Sequence, residues 1–288
     1  MVQRVLLTGA DGFVGRHLLP RLAAAGYEVL PCDLRQGCDL TQTGALDGFR
    51  DRGITTVIHL AGLVFVPASW GDRDAFTRVN AGGTEQVAAF CVQTGARLLL
   101  VSAYVYGIPQ YLPIDECHPP CPNNPYAASK LAAEAAARAA GVPLTIVRPF
   151  NLYGPGQDER FLIPSLVAQA RTGAEIVVND LAPRRDYLHV DDFCAALLAL
   201  LHDDDWHTPR VFNAGAGCSH SVGEVLELLN ELQGGTLRWR ARGVCRENEI
   251  PDTVADCRAL QAATGWYSRI TLHDGLAMLL ETAWTGNR

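Results

Sequence analysis

A glycine-rich turn near the start of the chain constrains the fold more than any other feature. Gly9, Gly12 and Gly15 follow an apolar run at 3–8 and open an amphipathic stretch at 13–25. Between a strand and a helix, glycines let backbone N–H groups approach a pyrophosphate at the positive end of the helix. The turn therefore predicts a dinucleotide site, and the alternative is an ordinary loop-forming turn.

Apolar runs and amphipathic stretches alternate through the first half of the chain. This βαβ rhythm is typical of a parallel sheet covered by helices on both faces. We predict an α/β fold with a Rossmann-type doubly wound parallel sheet and a smaller C-terminal substrate-binding lobe. The predicted strands are 3–8, 27–32, 55–60, 97–101 and 143–148, and the predicted helices are 13–25, 42–52, 74–94 and 125–140, with Gly26, Gly53, Gly95 and Gly141 at helix C-termini.

The rhythm changes after residue 150, where loops containing proline and glycine become longer. Predicted elements there are helices near 191–202, 221–232 and 271–284, a strand near 210–213 and an isolated strand near 236–240. We expect a Rossmann domain over 1–150, to which 186–213 also contributes, and a substrate-binding lobe over 151–288. The strand at 210–213 is expected to extend the main sheet.

Charge and hydropathy exclude several classes of protein. A net charge of −7 argues against a nucleic-acid binder, whose affinity would depend on basic patches. No apolar run reaches 18 residues, and the N-terminal run is too short for a signal peptide. These features predict no membrane span and a cytoplasmic location.

Nine cysteines are scattered along the chain. An odd number in a chain of this length suits reduced thiols better than a disulfide framework. Cys117 and Cys121 lack a second Cys/His pair at zinc spacing, so we predict free thiols there and no metal site.

Asp33 ends the second predicted strand, 18 residues beyond Gly15. This is close to the offset of the acid that holds the adenosine ribose in dinucleotide sites. A carboxylate accepts the ribose hydroxyls of NAD and repels the 2′-phosphate of NADP, so NAD is the predicted cofactor. Arg35 lies two residues further on and could offset that repulsion.

Tyr126 and Lys130 stand four residues apart on a predicted helix, hence on one face. A nearby ammonium should lower the pKa of the phenol toward the working pH, where the phenol can exchange protons with a sugar hydroxyl or ketone. Lys130 is the only lysine among 24 basic residues. Its retention in a chain that otherwise uses arginine indicates a chemical requirement, although chance retention at a surface position is the alternative.

Ser102 follows the predicted strand 97–101, at the edge of the sheet where ligands of open α/β folds bind. Its hydroxyl could share the substrate oxygen with Tyr126. A serine at the end of a strand is, however, more often a capping residue.

These motifs resemble those of the extended short-chain dehydrogenase/reductases, the NAD-dependent epimerase/dehydratase family that acts on nucleotide sugars. The resemblance covers nearly the whole chain. It is carried by Thr8 to Gly15, Asp39-Leu40, His59 to Gly62, Val79-Asn80 with Gly83-Thr84, Ser102 with Val105 to Gly107, Tyr126 with Lys130, Arg148 to Gly156, Arg185 to Asp192 and Asn213 to Gly215.

The resemblance implies roles for individual residues. Ser102, Tyr126 and Lys130 would be catalytic. The substrate would contact Ser102, Ala103 and Tyr104, with its diphosphate held by Asn151, Arg185 and Arg246. The cofactor would contact Gly9, Gly12, Phe13, Val14, Gly15, Asp33, Asp39, Leu40, Leu60, Ala61, Gly62, Asn80, Tyr126, Lys130 and Pro149.

Two residues after Ser102 bear on the reaction. Family members that eliminate water carry an acidic pair there, and the 3,5-epimerases carry a cysteine at the second position, whereas this chain has Ala103 and Tyr104. Dehydration is disfavoured, because no carboxylate stands there to protonate a leaving hydroxyl. We favour a nucleotide-sugar 4-epimerase that works through a transient 4-keto intermediate.

Two other hypotheses about the function stay open. Tyr104 and the run from His59 to Pro67 resemble deoxysugar reductases, so an NAD(P)H-dependent nucleotide-4-keto-6-deoxysugar reductase is the alternative. A dinucleotide-binding sensor without catalysis is the third, and the intact Ser102, Tyr126 and Lys130 argue against it. The resemblance also implies a homodimer through a four-helix bundle, for which the helix of Tyr126 offers small residues at Ala132, Ala133, Ala136, Ala137 and Ala140.

Overall fold

A six-stranded parallel sheet lies at the centre of the computed structural model, which describes residues 3–203, 205–206, 208–246 and 248–281. Its strands are β1 (Arg4–Thr8), β2 (Glu28–Cys32), β3 (Thr56–His59), β4 (Arg97–Val101), β5 (Leu144–Pro149) and β10 (Arg210–Ala214). Their order is β10-β5-β4-β3-β1-β2. The chain thus runs outward in both directions from the boundary between β1 and β3, and ligands of such sheets bind at that boundary, beyond the carboxyl ends of the strands.

Helices cover both faces of this sheet. On one face α1 (Phe13–Ala24) and α7 (Val190–Leu201) contact each other, and on the other α4 (Gly83–Thr94) contacts α5 (Pro125–Ala139). Side chains of β1 alternate between the two layers: Val5 and Leu7 enter one apolar cluster, and Leu6 enters the other. The predicted doubly wound sheet is confirmed, including the strand near 210–213, which pairs with β5.

The predicted helix at 42–52 is wrong. The crossover from β2 to β3 consists of turns and two short 3₁₀ helices, Leu34–Gln36 and Asp47–Arg52. Gly44 adopts a left-handed φ of 79° in the middle of this segment, a conformation that an α-helix does not contain. Leu46 is buried, so its side chain anchors the segment 42–52 to the core without a regular helix.

The predicted helix at 74–94 is present as an interrupted helical run. Two single-turn helices, α2 (Val66–Ser69) and α3 (Arg73–Phe76), come first. A π-helical turn, Thr77–Gly82, then connects α3 to α4. Such turns occur frequently at functional sites. This one packs against α5, the helix of Tyr126 and Lys130.

The second half forms a smaller layer around its own apolar cluster, which includes Leu166, Leu229 and Leu276. Its elements are β6 (Asn151–Tyr153), α6 (Leu162–Thr172), β7 (Ile176–Val178), β8 (Arg184–Arg185), β9 (Tyr187–His189), β11 (His220–Ser221), α8 (Val222–Leu232), β12 (Trp239–Ala241) and α10 (Leu272–Glu281). Its strands pair two by two: β6 with β9, β7 with β12, and β8 with β11. Helix α9 (Arg258–Thr264) contacts β10 and α7 instead, and its Leu260 belongs to an apolar cluster of the main sheet.

Several expectations for this half need correction. The strand expected near 236–240 is β12, which pairs with β7 and is not isolated. Helix α6 was not predicted; its Pro164 falls in the first turn, where the missing N–H is tolerated. The last residues of the helix expected at 271–284 lie outside the described residues. The division into two domains stays a prediction.

A disulfide joins Cys32 to Cys38. The expectation of reduced thiols throughout is therefore wrong for this pair. The 3₁₀ turn between the two residues brings their Cα atoms to 5.8 Å, a separation that suits a disulfide. The remaining cysteines of the described chain are free, Cys117 and Cys121 among them.

In the described parts of the chain, no helix has the length and apolar character needed to cross a membrane. Over the same residues, no group of three or more His, Cys, Asp and Glu side chains is placed to hold a metal ion.

Candidate active site

The predicted glycine turn lies at the boundary between β1 and β3. Gly9 has a φ of 70°, and a Cβ there would come within 2.7 Å of the Ala61 nitrogen, so only glycine fits. A Cβ at Gly15 would lie 2.2 Å from the Gly9 oxygen. The first-turn N–H groups of a helix have no intrahelical partner, and no side chain caps α1 at Gly12. The turn therefore offers free donors at the positive end of a helix.

Asp33 lies just beyond β2, beside this turn. The backbone N–H groups of Asp11 and Arg35 donate to its two carboxylate oxygens at 3.1 and 3.0 Å. These bonds fix the direction of the carboxylate and leave it one lone pair on each oxygen for a ligand. The Arg35 side chain is exposed.

The structure places some of the other predicted cofactor residues beside the glycine turn and others further away. Leu60, Ala61 and Gly62 follow β3 directly against Gly9, next to the half-buried Phe13 and Val14 at the start of α1. Leu40 is a buried core residue, Pro149 is buried at the end of β5, and Asp39 accepts bonds from the backbone and hydroxyl of Thr41.

Asn80 is buried in the π-helical turn, and its amide is used inside the protein. Its oxygen accepts from the Leu63 N–H at 2.8 Å, and its nitrogen donates to the Leu63 carbonyl and to Ser129 Oγ. Ser129 Oγ in turn donates to the Tyr126 carbonyl. Asn80 therefore ties the loop after β3 to the helix of Tyr126.

Asn124 caps helix α5: its side chain accepts from the Ala127 N–H. A proline follows at the first helical position. This cap fixes the helix next to the carboxyl ends of β3 and β4. Lys130 is buried, and its Nζ donates to the Val101 carbonyl at 2.7 Å, next to Gly62. Tyr126 packs edge-on to Phe76. Within the described chain, no hydrogen bond is made to its phenol.

The electrostatics of this pair differ from the expectation. Burial raises the pKa of Tyr126, which is opposite to the lowering that the sequence predicted. Burial lowers the pKa of Lys130 to about 8, a shift that the Glu134 carboxylate opposes. The protein alone therefore keeps the phenol protonated, because desolvation disfavours the phenolate.

Ser102 is buried at the end of β4, and its Oγ donates to Glu134 Oε1 at 2.6 Å. Ala103 is buried as well. The Tyr104 ring stacks edge-on against Tyr106 and Phe150, and its hydroxyl donates to the Gly107 carbonyl at 2.7 Å.

Two of the three predicted diphosphate ligands, Arg185 and Arg246, meet at one carboxylate. The third, Asn151, starts β6, and its backbone N–H donates to the carbonyl of Asp186, the neighbour of Arg185. Arg185 donates to the Ile250 carbonyl and forms an ion pair with Glu249, and Arg246 lies 3.9 Å from the same carboxylate. Glu249 thus connects the two arginines.

Sequence reasoning gave no role in the site to three buried charged residues, Asp186, Glu134 and Arg148. Asp186 is buried and accepts from the N–H groups of Ala216, Gly217 and Ala255, and burial raises its pKa to about 6. Glu134 forms a buried ion pair with Arg148 at 2.7 Å. The available signal was spacing, because Glu134 is four residues after Lys130 and therefore on the same helix face.

A glycine turn at the switch point of a doubly wound sheet, with a tyrosine–lysine pair beside it, defines a dinucleotide-dependent oxidoreductase. The profile of the NAD dependent epimerase/dehydratase family matches residues 5–215. The chain belongs to this family, and the resemblance inferred from the sequence motifs is confirmed. It is an NAD-dependent enzyme.

Characterised relatives align over most of the chain. It is 33% identical to a GDP-6-deoxy-D-mannose reductase from Pseudomonas aeruginosa, with 97% of each chain covered. It is 30% identical to a UDP-glucose 4-epimerase from Azospirillum brasilense, with 99% of this chain and 92% of the relative covered.

Solved structures with NAD or NADPH have the same fold. MoeE5 in complex with UDP-glucose and NAD superimposes with a TM-score of 0.88 at 32% identity, covering 96% of this chain and 97% of its own. RMD from Pseudomonas aeruginosa, complexed with NADPH, gives 0.87 at 33% identity, covering 97% and 98%.

Proposed function

We propose that this protein is a 4-epimerase of a nucleotide-diphosphate sugar, working through a transient 4-keto intermediate. The observation that carries the proposal is the phenol of Tyr126, to which no group of the described chain is hydrogen-bonded, on the same helix face as Lys130, whose Nζ lies beside Gly62 after β3. Two characterised relatives act on nucleotide sugars by their names, and one is a 4-epimerase.

The residues around the turn suit NAD. The uncapped start of α1 would receive the pyrophosphate, and Asp33 would accept the adenosine ribose hydroxyls. Bound NAD supplies a hydride acceptor that can also return the hydride. Because the exposed Arg35 makes no contact with Asp33 other than through its backbone N–H, the carboxylate is free to disfavour NADP.

Tyr126 is the proposed acid and base. In its phenolate form it takes the proton of the sugar hydroxyl at C4 as the ketone forms, and the resulting phenol returns the proton when the ketone is reduced. Lys130 is held against the Val101 carbonyl, where its charge favours the phenolate once ligands displace water. Ser102 is proposed to contact the same oxygen.

Asn151, Arg185 and Arg246 are the proposed diphosphate site. Two guanidinium groups and an amide suit a dianion through charge-assisted hydrogen bonds. In this structure Glu249 takes the position of an anion between the arginines. We expect the substrate diphosphate to exchange with it. Ala103 and Tyr104, next to Ser102, would line the sugar.

The second candidate is the NAD(P)H-dependent 4-ketoreductase. Tyr104 favours it, because a tyrosine at this position resembles deoxysugar reductases, and the relative at 33% identity is a reductase by name. The Asp33 carboxylate favours the epimerase, since a closed redox cycle requires firmly held NAD.

The cofactor content of the purified protein tests the choice. An epimerase retains NAD after desalting, seen by absorbance and by enzymatic assay of a denatured extract, and interconverts two 4-hydroxy epimers without added cofactor. Stoichiometric consumption of NAD(P)H with a 4-keto sugar, and no epimerisation, contradicts the epimerase and supports the reductase.

We also propose a homodimer through α4 and α5. Exposed small or apolar side chains on these helices support it, including Val92, Ala128, Ala132 and Ala135. Ala133 and Ala137, which the sequence suggested for the interface, are buried in the core of their own chain and are not available. Light scattering should give twice the chain mass of 31.1 kDa, and a single-chain mass contradicts the dimer.

We place the protein in the cytoplasm, because nucleotide sugars and NAD are charged and do not cross membranes unaided. Fractionation of the producing cells tests this location. Recovery of the activity outside the cytoplasm contradicts it, and the Cys32–Cys38 disulfide would then match an oxidising compartment.

A further inference from the structure

A disulfide closes the loop that carries the proposed ribose acid. Cys32 ends β2, Cys38 follows six residues later, and Asp33 is the first residue between them. The backbone of Asp33 is bonded inside this loop, because its carbonyl accepts from the N–H groups of Gln36 and Cys38 at 2.9 and 3.0 Å. The Asp33 carboxylate therefore takes its direction from the same short loop that the disulfide closes.

The loop is also hydrogen-bonded to the glycine turn. Gly9 donates its N–H to the Cys32 carbonyl at 2.9 Å. Asp11 donates its N–H to Asp33 Oδ2 at 3.1 Å, and its own carboxylate accepts from Gln36 Nε2 at 3.2 Å. A displacement of the loop would therefore disturb both the ribose part and the pyrophosphate part of the proposed cofactor site.

The residues between the two cysteines have little else to hold them. Those at 34–37 are all exposed, and Leu34, the apolar one, is 69% exposed. The bonds that Gln36 Nε2 and the Arg35 N–H make lie at the surface, where a hydrogen bond that replaces one to water contributes little net free energy. Among the described contacts of the loop, the disulfide is the restraint that water cannot replace.

The two cysteines differ in accessibility. Cys32 is 2% exposed and belongs to an apolar cluster of the main sheet, whereas Cys38 is half-buried against that cluster. An attacking thiolate therefore has access from the side of Cys38, and Cys32 becomes the leaving group.

We propose that Cys32 and Cys38 are a site of thiol–disulfide exchange with a dithiol reductant, and that their redox state controls the affinity for NAD. The proposal rests on the proposed role of Asp33 and on the proposed cytoplasmic location, where disulfides are usually catalytic or redox-sensing. With the disulfide closed, Asp33 is held for the adenosine ribose. With the disulfide open, the loop samples more conformations, and NAD must order it on binding.

The exchange transfers two electrons and two protons. A thiolate of the reductant attacks Cys38 Sγ, a mixed disulfide forms, and Cys32 leaves as a thiolate that takes up a proton. The second thiolate of the reductant then attacks the reductant's own sulfur in the mixed disulfide. The reductant leaves as an intramolecular disulfide, and Cys38 is released and protonated.

Calorimetric titration of the oxidised and the reduced protein tests the proposal, after bound dinucleotide has been removed. Dithiothreitol is the reductant, and alkylation with mass spectrometry reports the state of the pair. We expect reduction to weaken NAD about tenfold, the value of about one hydrogen bond. NADP should be weakened less, because a mobile Asp33 carboxylate repels the 2′-phosphate less. Equal NAD affinity in the two states would overturn the proposal, as would a pair that is reduced only after unfolding in urea.

The same coupling can be measured from the opposite side. If reduction weakens NAD about tenfold, saturating NAD must shift the equilibrium with the dithiothreitol couple about tenfold toward the protein disulfide. For a two-electron couple this shift is about 30 mV. An equilibrium that NAD leaves unchanged contradicts the proposal, whether or not the protein is an epimerase.

Cys38→Ser keeps the loop open permanently. This variant should bind NAD as weakly as the reduced protein does and should not respond to dithiothreitol. Circular dichroism and urea unfolding establish that it is folded, and the reduced wild-type protein carries the same test without any substitution. The matched control replaces the exposed free thiols by Cys117→Ser and Cys121→Ser, and it should keep the full redox response.

Asp33→Asn separates this proposal from the proposed function. If Asp33 binds the ribose, the variant should bind NAD more weakly in both redox states, and reduction should change its affinity less than it changes that of the wild-type protein. Unchanged NAD affinity in Asp33→Asn removes Asp33 from the proposed cofactor site. Weaker binding in Asp33→Asn together with no redox effect in the wild-type protein overturns only the exchange proposal.

Discussion

The two proposed anion sites of this enzyme use different groups. The proposed cofactor site uses backbone N–H groups at the start of α1, and the geometry of its turn follows from three glycines within seven residues. The proposed diphosphate site uses side chains, and Arg185 is held by Ile250 and Glu249, more than sixty residues further along the chain. A backbone site is set by local sequence, whereas a side-chain site depends on tertiary contacts that can vary between relatives.

Loss of the proposed reaction centre should have the largest effect. Tyr126→Phe removes the proton carrier and nothing else, so kcat should fall about 10²–10⁴-fold. Calorimetric titration should show unchanged NAD affinity, since the ring remains packed on Phe76. Equal activity in the variant would rule out the mechanism.

The cofactor site should tolerate no added side chain. In Gly15→Ala the new Cβ would meet the Gly9 oxygen at 2.2 Å, which requires the turn to move. We expect a loss of about 1–3 kcal/mol in the free energy of unfolding, together with weaker NAD binding.

Gly223→Ala provides the contrast, because a Cβ in α8 meets its nearest neighbours at 3.7 Å, an ordinary contact distance. Urea unfolding and NAD titration of both variants measure the difference. Equal behaviour of the two would remove the claim that the turn is closely packed.

Loss of an arginine from the proposed diphosphate site should weaken substrate binding rather than lower the free energy of unfolding. Arg185→Ala should raise KM for the nucleotide sugar about 10–100-fold, the value of one or two charge-assisted hydrogen bonds, with NAD affinity unchanged. Arg240→Ala is a matched control in the same half, where Arg240 pairs with Glu175 at the surface. An unchanged KM in Arg185→Ala removes this residue from the site.

Burial of Lys130 should make stability depend on pH. Its pKa is about 8 in the folded protein and about 10.4 when exposed, so the unfolded chain binds more protons between these values. The free energy of unfolding should therefore rise from pH 7 to pH 9, by on the order of 1 kcal/mol relative to Lys130→Met. Denaturation of both proteins over this range measures it, and parallel pH profiles would contradict the shift.

The smallest effect is expected from a local cap in the second half. Ser221 and Glu224 form a reciprocal capping box at the start of α8, with bonds of 3.0 and 2.8 Å. Ser221→Ala should cost about 0.5–1 kcal/mol in urea unfolding without changing kcat. A fall in kcat would show that the lobe transmits local changes to the reaction centre.

Local pattern was sufficient for the strands of the main sheet and for the turn at Gly9. It failed at 42–52, where Gly44 and the turn at Asp39 override an amphipathic sequence. Contacts between distant residues could not be predicted: Glu134 is 32 residues from Ser102, and the strands of the second half, apart from β10, have two or three residues each. Such short strands carry no periodicity, because their pairing is decided by the tertiary fold.

The single lysine has a practical consequence. The chain contains one ε-amine, that of Lys130, and its lowered pKa leaves a substantial neutral fraction near pH 8. Acylating reagents react with the neutral amine, so slow amine acylation, followed by mass spectrometry of the peptide that carries Lys130, becomes a titration of one site. Protection of that amine by added dinucleotide would measure occupancy of the cofactor site directly, without any turnover assay.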